Sequence, residues 1–134
     1  MKITDVKTQD IRFPTSKDNL GTDAVHVDCD YSATYVTVFT DQEDLNGIGL
    51  TFTIGKGNDL CCTVIEYFKE FIIGKDIQEI EKNIASIWEK ITNHSQLRWV
   101  GPQKGVTHLA AAAFFNAIWD LISKFHKKPL WRYI

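Results

Sequence analysis

Polar side chains of several kinds are concentrated in one segment of the chain, residues 14–32. Hydroxyls, carboxylates and a phenol are hydrogen-bonding groups, so the segment could hold a polar ligand. It joins two predicted strands and is far longer than the roughly 2–5 residues of a hairpin loop. Long loops are either lids and binding loops or mobile, solvated connections, and composition alone slightly favours the second. Its polar and turn-forming residues include Gly21, Thr22, Asp23, His26, Asp28, Asp30 and Tyr31.

Other residues with reactive side chains fit structural roles better. HVDCD at 26–30 contains metal-ligand types, but ligands so close in a loop form neither a tetrahedral site nor an oxygen cage. We therefore expect no metal ion there. Gly55-Lys56-Gly57 precedes a predicted helix but lacks the spacing of a nucleotide-binding P-loop. Cys61 falls on an apolar helix stripe, as a buried and unreactive thiol does.

Composition indicates one globular domain with its own core. The chain has 134 residues, 44% of them hydrophobic, and a formal net charge of −2. This balance gives no reason to expect nucleic acid or an anionic membrane as a partner. Residues 1–13 lack the apolar run of a signal peptide. The three cysteines cannot all pair, so reduced thiols and a cytoplasmic location are expected.

The first part of the chain predicts a three-stranded antiparallel meander. Residues 2–13 form the first strand, and residues 33–40 are rich in β-branched and aromatic types. Residues 48–54 alternate apolar and small residues, as in a half-buried strand. Asn46-Gly47 is the turn dipeptide expected between the last two strands.

The second part predicts helices. Asn58 or Asp59 can cap a first helix that ends at Gly74, and Asp76 with Glu79 resembles a capping box. Isoleucines from Ile77 to Ile91 follow at helical spacing. The loop that comes next is predicted over residues 93–104, with Gly101-Pro102 as its turn.

Residues 109–122 predict the central packing helix, because nearly every position is apolar. The stretch is shorter than the roughly 20 residues that span a bilayer. Its alanines, Ala110 to Ala113, would let other backbone approach closely, whereas Asn116 and Asp120 should hydrogen-bond to neighbouring loops. The predicted fold class is therefore α+β: a three-stranded antiparallel sheet followed by three to four helices.

Five segments of the chain together resemble the L-fuconate dehydratase group, in the mandelate racemase-like branch of the enolase superfamily. The motif at 116–131 is shared across the branch, whereas the other four are more specific to the group. The segments are RFPTS at 12–16, GTDAVHVDCDYS at 21–32, GIGLTFTIGKG at 47–57, QLRWVGPQKGV at 96–106 and NAIWDLISKFHKKPLW at 116–131.

The resemblance implies that residues 1–134 are an amino-terminal capping domain, with residues 14–32 as its substrate lid. The partner domain would be a (β/α) barrel, which needs about 250 residues and is absent here. The barrel would carry the lysine and histidine bases and the Mg²⁺ ligands. The implied activity is that of a hydro-lyase, which removes water from a sugar acid and leaves a 2-keto-3-deoxy acid. These residues alone should be inactive.

The resemblance also implies substrate contacts and partners. The lid contacts fall on Gly21, Thr22, Asp23 and Tyr31, and no catalytic or metal-binding residue falls in this chain. Lys56 is a secondary neighbour of the substrate. The implied partners are a sugar acid such as L-fuconate, the protein's own barrel and further copies of the full-length protein. Two alternatives remain: the domain of another mandelate racemase-like enzyme, and a stand-alone binding module without catalysis.

Overall fold

A single antiparallel sheet with the strand order β1–β2–β3 confirms the predicted meander. The computed structural model describes residues 1–100 and 105–134, so the turn predicted at Gly101-Pro102 lies outside the described residues. The strands are β1 (Ile3–Phe13), β2 (Tyr31–Thr40) and β3 (Asn46–Thr53). In this register Phe13 pairs with Tyr31, and Ser32 pairs with Thr53. The β1–β2 loop (residues 14–30) and the β3–α1 loop (residues 54–57) therefore leave the sheet at the same end.

The turn between β2 and β3 lies at residues 41–45, so the prediction of a turn at Asn46-Gly47 is wrong. Asn46 pairs with Phe39 inside the sheet. The turn is closed by the Leu45 amide, which donates to the Gln42 carbonyl at 3.0 Å. The hydroxyl of Thr40 donates to the Leu45 carbonyl at 2.8 Å. This side-chain bond stabilises the turn, and the Asn46-Gly47 dipeptide takes no part in it.

Strand β3 has the predicted alternation, but its small residues are buried and its large apolar residues are exposed, the reverse of the expected arrangement. Ile48, Leu50 and Phe52 are exposed, whereas the small residues between them are buried against a helix. The cause is the close approach of that helix. A Cβ at Gly49 would collide with the carbonyl oxygen of Ala113, and one at Gly47 would lie 2.6 Å from Leu121 Cβ. Only glycine fits there, and the prediction that backbone approaches the alanine run is confirmed.

The helical layer contains five α-helices within the described residues, one more than the upper end of the predicted range. They are α1 (Asn58–Phe68), α2 (Ile77–Lys82), α3 (Ile84–Thr92), α4 (Val106–Phe125) and α5 (Leu130–Tyr133). The isoleucine stripe is divided between α2 and α3 because the chain leaves helical geometry at Asn83, whose side chain donates to the Glu79 carbonyl at 2.8 Å. Asp76 caps α2 as predicted, accepting from the Gln78 amide at 2.9 Å.

Helix α4 is the centre of the packing, and it contacts β3, β2 and α1. It has 20 residues, more than the apolar stretch that predicts it, so its length does not exclude a membrane span. Within its most apolar 18 residues, 61% are buried inside the protein, so packing in the core explains why the helix is apolar. Phe114 is fully buried and meets Phe68 edge to face at 5.6 Å.

Asp120 confirms its predicted bonding role, with a strand as its partner rather than a loop. Its Oδ2 accepts from the Ile48 amide at 2.8 Å and from Lys124 Nζ at 2.6 Å. Asp120 thereby supplies a partner to an amide of the edge strand. Asn116 is exposed.

Candidate functional site

The base of the β1–β2 loop is closed by Asp30. Its Oδ1 accepts from the amide of Ser16 at 3.0 Å and from the Ser16 hydroxyl at 2.8 Å. These bonds lower the pKa of the Asp30 carboxyl, the backbone bond contributing most. One residue further on, the amide of Tyr31 donates to Thr15 Oγ1 at 2.9 Å. The two ends of the loop are therefore fastened to each other.

The tip of the β1–β2 loop is organised by Asp23. Its Oδ1 accepts from the amides of Val25 and His26, both at 2.7 Å. Its Oδ2 lies 3.3 Å from Nδ1 of His26. The backbone bond from His26, followed by that from Val25, lowers the pKa of the Asp23 carboxyl. The carboxylate thus shapes the turn, and its side chain is still 65% exposed.

Gly21 and Tyr31, two of the four predicted substrate contacts, lie against each other. Gly21 has φ +82°, and a Cβ on it would lie 2.6 Å from the Tyr31 ring. The ring in turn meets Phe52 edge to face, with centroids 5.6 Å apart. Thr22 is half-buried, and its hydroxyl donates to the Asn19 carbonyl at 3.2 Å. The aromatic ring of Tyr31 therefore supports the first half of the loop from the open face of the sheet.

The β3–α1 loop meets the β1–β2 loop at Asp30. A Cβ built on Gly55 would lie 3.1 Å from the Cβ of Asp30. A cleft of about 150 Å³ lies at this junction, lined by Asp28, Cys29, Asp30, Ile54, Gly55 and Lys56. Desolvation, followed by the charge of Asp28, raises the pKa of the Cys29 thiol, which is therefore neutral. The cleft offers a cation, carboxylates and a thiol to a polar ligand.

Asn58 anchors the start of α1 beneath the β3–α1 loop, and the sequence interpretation missed it. Asn58 is fully buried, and the N-cap position belongs to Gly57, so its predicted role as a cap is wrong. Its Nδ2 donates to Asp10 Oδ1 at 2.8 Å and to the carbonyls of Ile11 and Ala33 at 3.2 and 3.3 Å. Its Oδ1 accepts from the Thr53 hydroxyl. An asparagine at a helix start signals a cap, so local sequence points away from this role.

The described residues do not fit a magnesium site. Within residues 1–100 and 105–134, no group of three or more His, Cys, Asp or Glu side chains lies close enough to hold a metal ion. In the cleft at the loop junction, the Asp30 carboxylate already accepts two bonds from Ser16, and Lys56 adds a positive charge. Mg²⁺ prefers several oxygen ligands at near-octahedral geometry.

Sequence comparison finds one matching family and several long relatives. Residues 22–134 match the mandelate racemase / muconate lactonizing enzyme, N-terminal domain. Over 132 residues the chain is 48% identical to mitochondrial enolase superfamily member 1 of Xenopus laevis and 45% identical to L-galactonate dehydratase of Hypocrea jecorina. These alignments cover 98% of this chain but only 30% and 29% of those relatives, so the chain spans less than a third of their length.

Comparison with solved structures finds the same fold in longer proteins. Human mitochondrial enolase superfamily member 1 superposes with a TM-score of 0.92 at 43% identity, over 98% of this chain and 30% of that one. L-talarate dehydratase from Polaromonas sp. JS666, complexed with Mg and L-glucarate, superposes with a TM-score of 0.66 at 20% identity, over 93% of this chain and 30% of that one. The second likeness shows a shared fold.

Proposed function

Because this chain belongs to the mandelate racemase / muconate lactonizing enzyme family, as its amino-terminal domain, we propose that it caps the active site of an acid-sugar dehydratase. The observation that carries the proposal is the junction of the two loops at Asp30 and Gly55, which gathers polar groups at one end of the sheet. The similarity to L-galactonate dehydratase of Hypocrea jecorina supports this class of substrate.

The proposed reaction is loss of water from a sugar acid to give a 2-keto-3-deoxy acid, and the full-length protein would be a hydro-lyase. The donor set of residues 1–100 and 105–134 does not fit Mg²⁺, so in this proposal the ion that the family implies would be held by the barrel. The role of this chain is to bind the end of the substrate that lies far from the barrel, to orient it, and to exclude water as the loops close.

A sugar acid presents a row of hydroxyls, each both a donor and an acceptor, and the loops offer matching groups. Thr22 and Tyr31 bring hydroxyls, Lys56 brings an ammonium group, and Gly21 brings its backbone groups. The backbone bonds of Asp23 fall on Oδ1, and Oδ2, which lies 3.3 Å from Nδ1 of His26, keeps a further acceptor position. We therefore keep Gly21, Thr22, Asp23 and Tyr31 as the proposed substrate contacts.

We propose L-fuconate as the preferred substrate. L-Fuconate differs from L-galactonate only at the far end, where a methyl group replaces a hydroxymethyl group. Ile54, 55% exposed and lining the junction cleft, offers that methyl group an apolar contact. One such contact discriminates by roughly 1–3 kcal/mol.

An assay on the natural full-length protein tests the function. The protein, supplied with Mg²⁺, is incubated with L-fuconate, L-galactonate and galactarate, and the 2-keto-3-deoxy product is measured. We expect the highest kcat/KM with L-fuconate. A preference for L-galactonate would contradict the substrate but support the dehydratase. Exchange of the α-proton without loss of water would favour a racemase of the same family, and sugar-acid binding without either reaction would favour a binding module.

We also propose that the domain docks on its own barrel in a full-length homo-oligomer. Trp131 is 72% exposed, and the nearby apolar residues Phe125, Leu130 and Tyr133 are half-buried, so this end of the chain offers an apolar surface to a barrel. The apolar groove between α3 and α4, lined by Trp88, Phe115 and Trp119 among others, is a second surface that a barrel could cover. A cytoplasmic location stays part of the proposal, because Cys29, Cys61 and Cys62 are free thiols.

A further inference from the structure

Arg12 stands where β1 ends, two residues before the β1–β2 loop begins. Its guanidinium holds Asp10 with two bonds, Nε to Oδ1 at 2.9 Å and Nη2 to Oδ2 at 2.7 Å. The remaining nitrogen, Nη1, donates to the carbonyl of Gly55 in the β3–α1 loop at 3.1 Å. One side chain on the first strand therefore reaches across to the second loop.

The Asp10 end of this contact is anchored in the interior. Asp10 Oδ1 also accepts from Nδ2 of the fully buried Asn58 at 2.8 Å. Hydrogen bonds from Arg12 and then Asn58 lower the pKa of the Asp10 carboxyl, so the carboxylate stays charged and its bonds are charge-assisted. The planar fork of an arginine is needed for this geometry, because a lysine presents a single nitrogen.

The Gly55 end of the contact leads to the β1–β2 loop. The Gly55 amide donates to the hydroxyl of Ser32 at 2.7 Å, and its Cα faces Asp30, which holds Ser16. Hydrogen bonds thus join Arg12 to Gly55 and Asp30 to Ser16, and between these two pairs the backbone of Gly55 packs against Asp30. These contacts join the β3–α1 loop to both ends of the β1–β2 loop.

We propose that Arg12 is a positioning residue that couples the two loops, so that they open and close over a ligand as one unit. The identity of the ligand rests on the proposed function, whereas the coupling rests on the contacts alone. When the bond from Arg12 to the Gly55 carbonyl breaks, Gly55 becomes free to move. Asp30, which packs against Gly55 and holds Ser16, then moves with it.

Hydrogen exchange of backbone amides in the natural full-length protein tests the coupling. In Arg12→Gln we expect exchange to become about tenfold faster at Gly55 to Gly57, and also at Ser16 and Tyr31, because three bonds of a charged group are lost. Lys7→Gln is the matched control. It makes the same change of charge on the same strand, at a side chain that is 68% exposed, and should leave both loops unchanged.

Arg12→Lys separates positioning from charge. The lysine keeps the charge but cannot hold Asp10 and Gly55 together, so exchange at both loops should stay fast. Exchange that accelerates in the β3–α1 loop alone, or full rescue by lysine, would overturn the proposal. Failure of the coupling leaves the sugar-acid assay unaffected, because exchange is measured without substrate. Should Arg12→Gln unfold the protein, Arg12→Lys alone decides the question.

Discussion

The carboxylate of Asp23 is occupied by hydrogen bonds within the β1–β2 loop, yet most of its surface faces solvent. The residue can therefore act in two ways, by shaping the loop tip or by accepting a hydroxyl of the substrate. Asparagine distinguishes these roles, since its Oδ1 can still accept the two backbone amides but it carries no negative charge.

For Asp23→Ala in the full-length enzyme we expect kcat/KM for the preferred sugar acid to fall by about 5- to 150-fold, because a substrate hydroxyl loses its partner in a dry site. The melting temperature should change little, since the side chain is exposed. Steady-state kinetics and a melting curve measure both.

The control for this loss is Asp18→Ala, an exposed carboxylate of the same loop that should keep full activity. A loss with alanine and recovery with asparagine would assign Asp23 to loop shape. Equal loss with both assigns it to the substrate. Unchanged kcat/KM in Asp23→Ala would remove the residue from the site altogether.

Tyr133 should remain protonated in alkaline solution. Its hydroxyl donates to Glu81, which raises the pKa of Tyr133 to about 12. A raised pKa means that the neutral tyrosine stabilises the fold. That stabilisation is fully present below pH about 10 and is lost as the pH rises through about 12.

An ultraviolet titration of phenolate formation measures this. A late phase of phenolate formation is expected from Tyr133, and Tyr133→Phe should remove that phase. In Glu81→Gln the late phase should move towards pH 10, because a neutral partner no longer opposes the phenolate. A late phase that survives Tyr133→Phe would assign the shift to another residue.

The long, polar β1–β2 loop could be found from sequence because length and polarity are local properties. That Gly21, Thr22, Asp23 and Tyr31 contact a substrate follows from the resemblance and stays a prediction. Asn58, Asp10 and Arg12 could not be found in this way. Asn58 resembles a cap, and Asp10 and Arg12 resemble solvated strand residues. Their roles arise only when β1, β2 and the start of α1 are brought together.

At the scale of the elements, β3 and α4 approach each other closely at Gly47 and Gly49. A period of two shows that β3 alternates but does not tell which side meets the helix. The large side chains predict the wrong side, because the distance between β3 and α4 leaves no room for them. By contrast, the apolar patterns of α1 and α4 predict a helix without the need to know which side of it is buried.

Gly49→Ala should lower the free energy of unfolding by about 1–3 kcal/mol or more, because the new methyl group meets the α4 backbone at Ala113 and Asn116. Chemical denaturation measures the change. Leu50→Ala, next along the strand and 42% exposed on the other face, is the matched control and should cost much less. Equal losses for the two would mean that β3 and α4 are not in close contact.

At the scale of the whole molecule, the sheet has one covered and one open face. The open face carries exposed apolar side chains near the loops, including Phe13, Tyr31, Phe52 and Ile54. Exposed apolar patches of this kind promote association. The sequence did not predict this surface, because the alternation in residues 48–54 puts Phe52 and Ile54 on the side of the strand expected to be buried.

Residues 1–134 expressed alone should therefore self-associate or bind an apolar dye, and should show neither dehydratase activity nor specific Mg²⁺ binding. Analytical ultracentrifugation, dye fluorescence and calorimetry with Mg²⁺ measure these properties, with the full-length protein as the comparison. A monomer at high concentration that binds no dye would contradict the first expectation. Turnover by the short chain would contradict the second.

The bonding of the β1–β2 loop also bears on how such a protein can change over generations. Its tip is shaped by Asp23 and its base by Asp30, so the loop takes its form largely from its own residues. Under the proposed function, mutations at 17–29 would alter which ligand the protein accepts without disturbing the contact between Gly49 and α4. Selection can act on ligand preference and on folding through separate sets of positions, and new specificities can arise on an inherited scaffold.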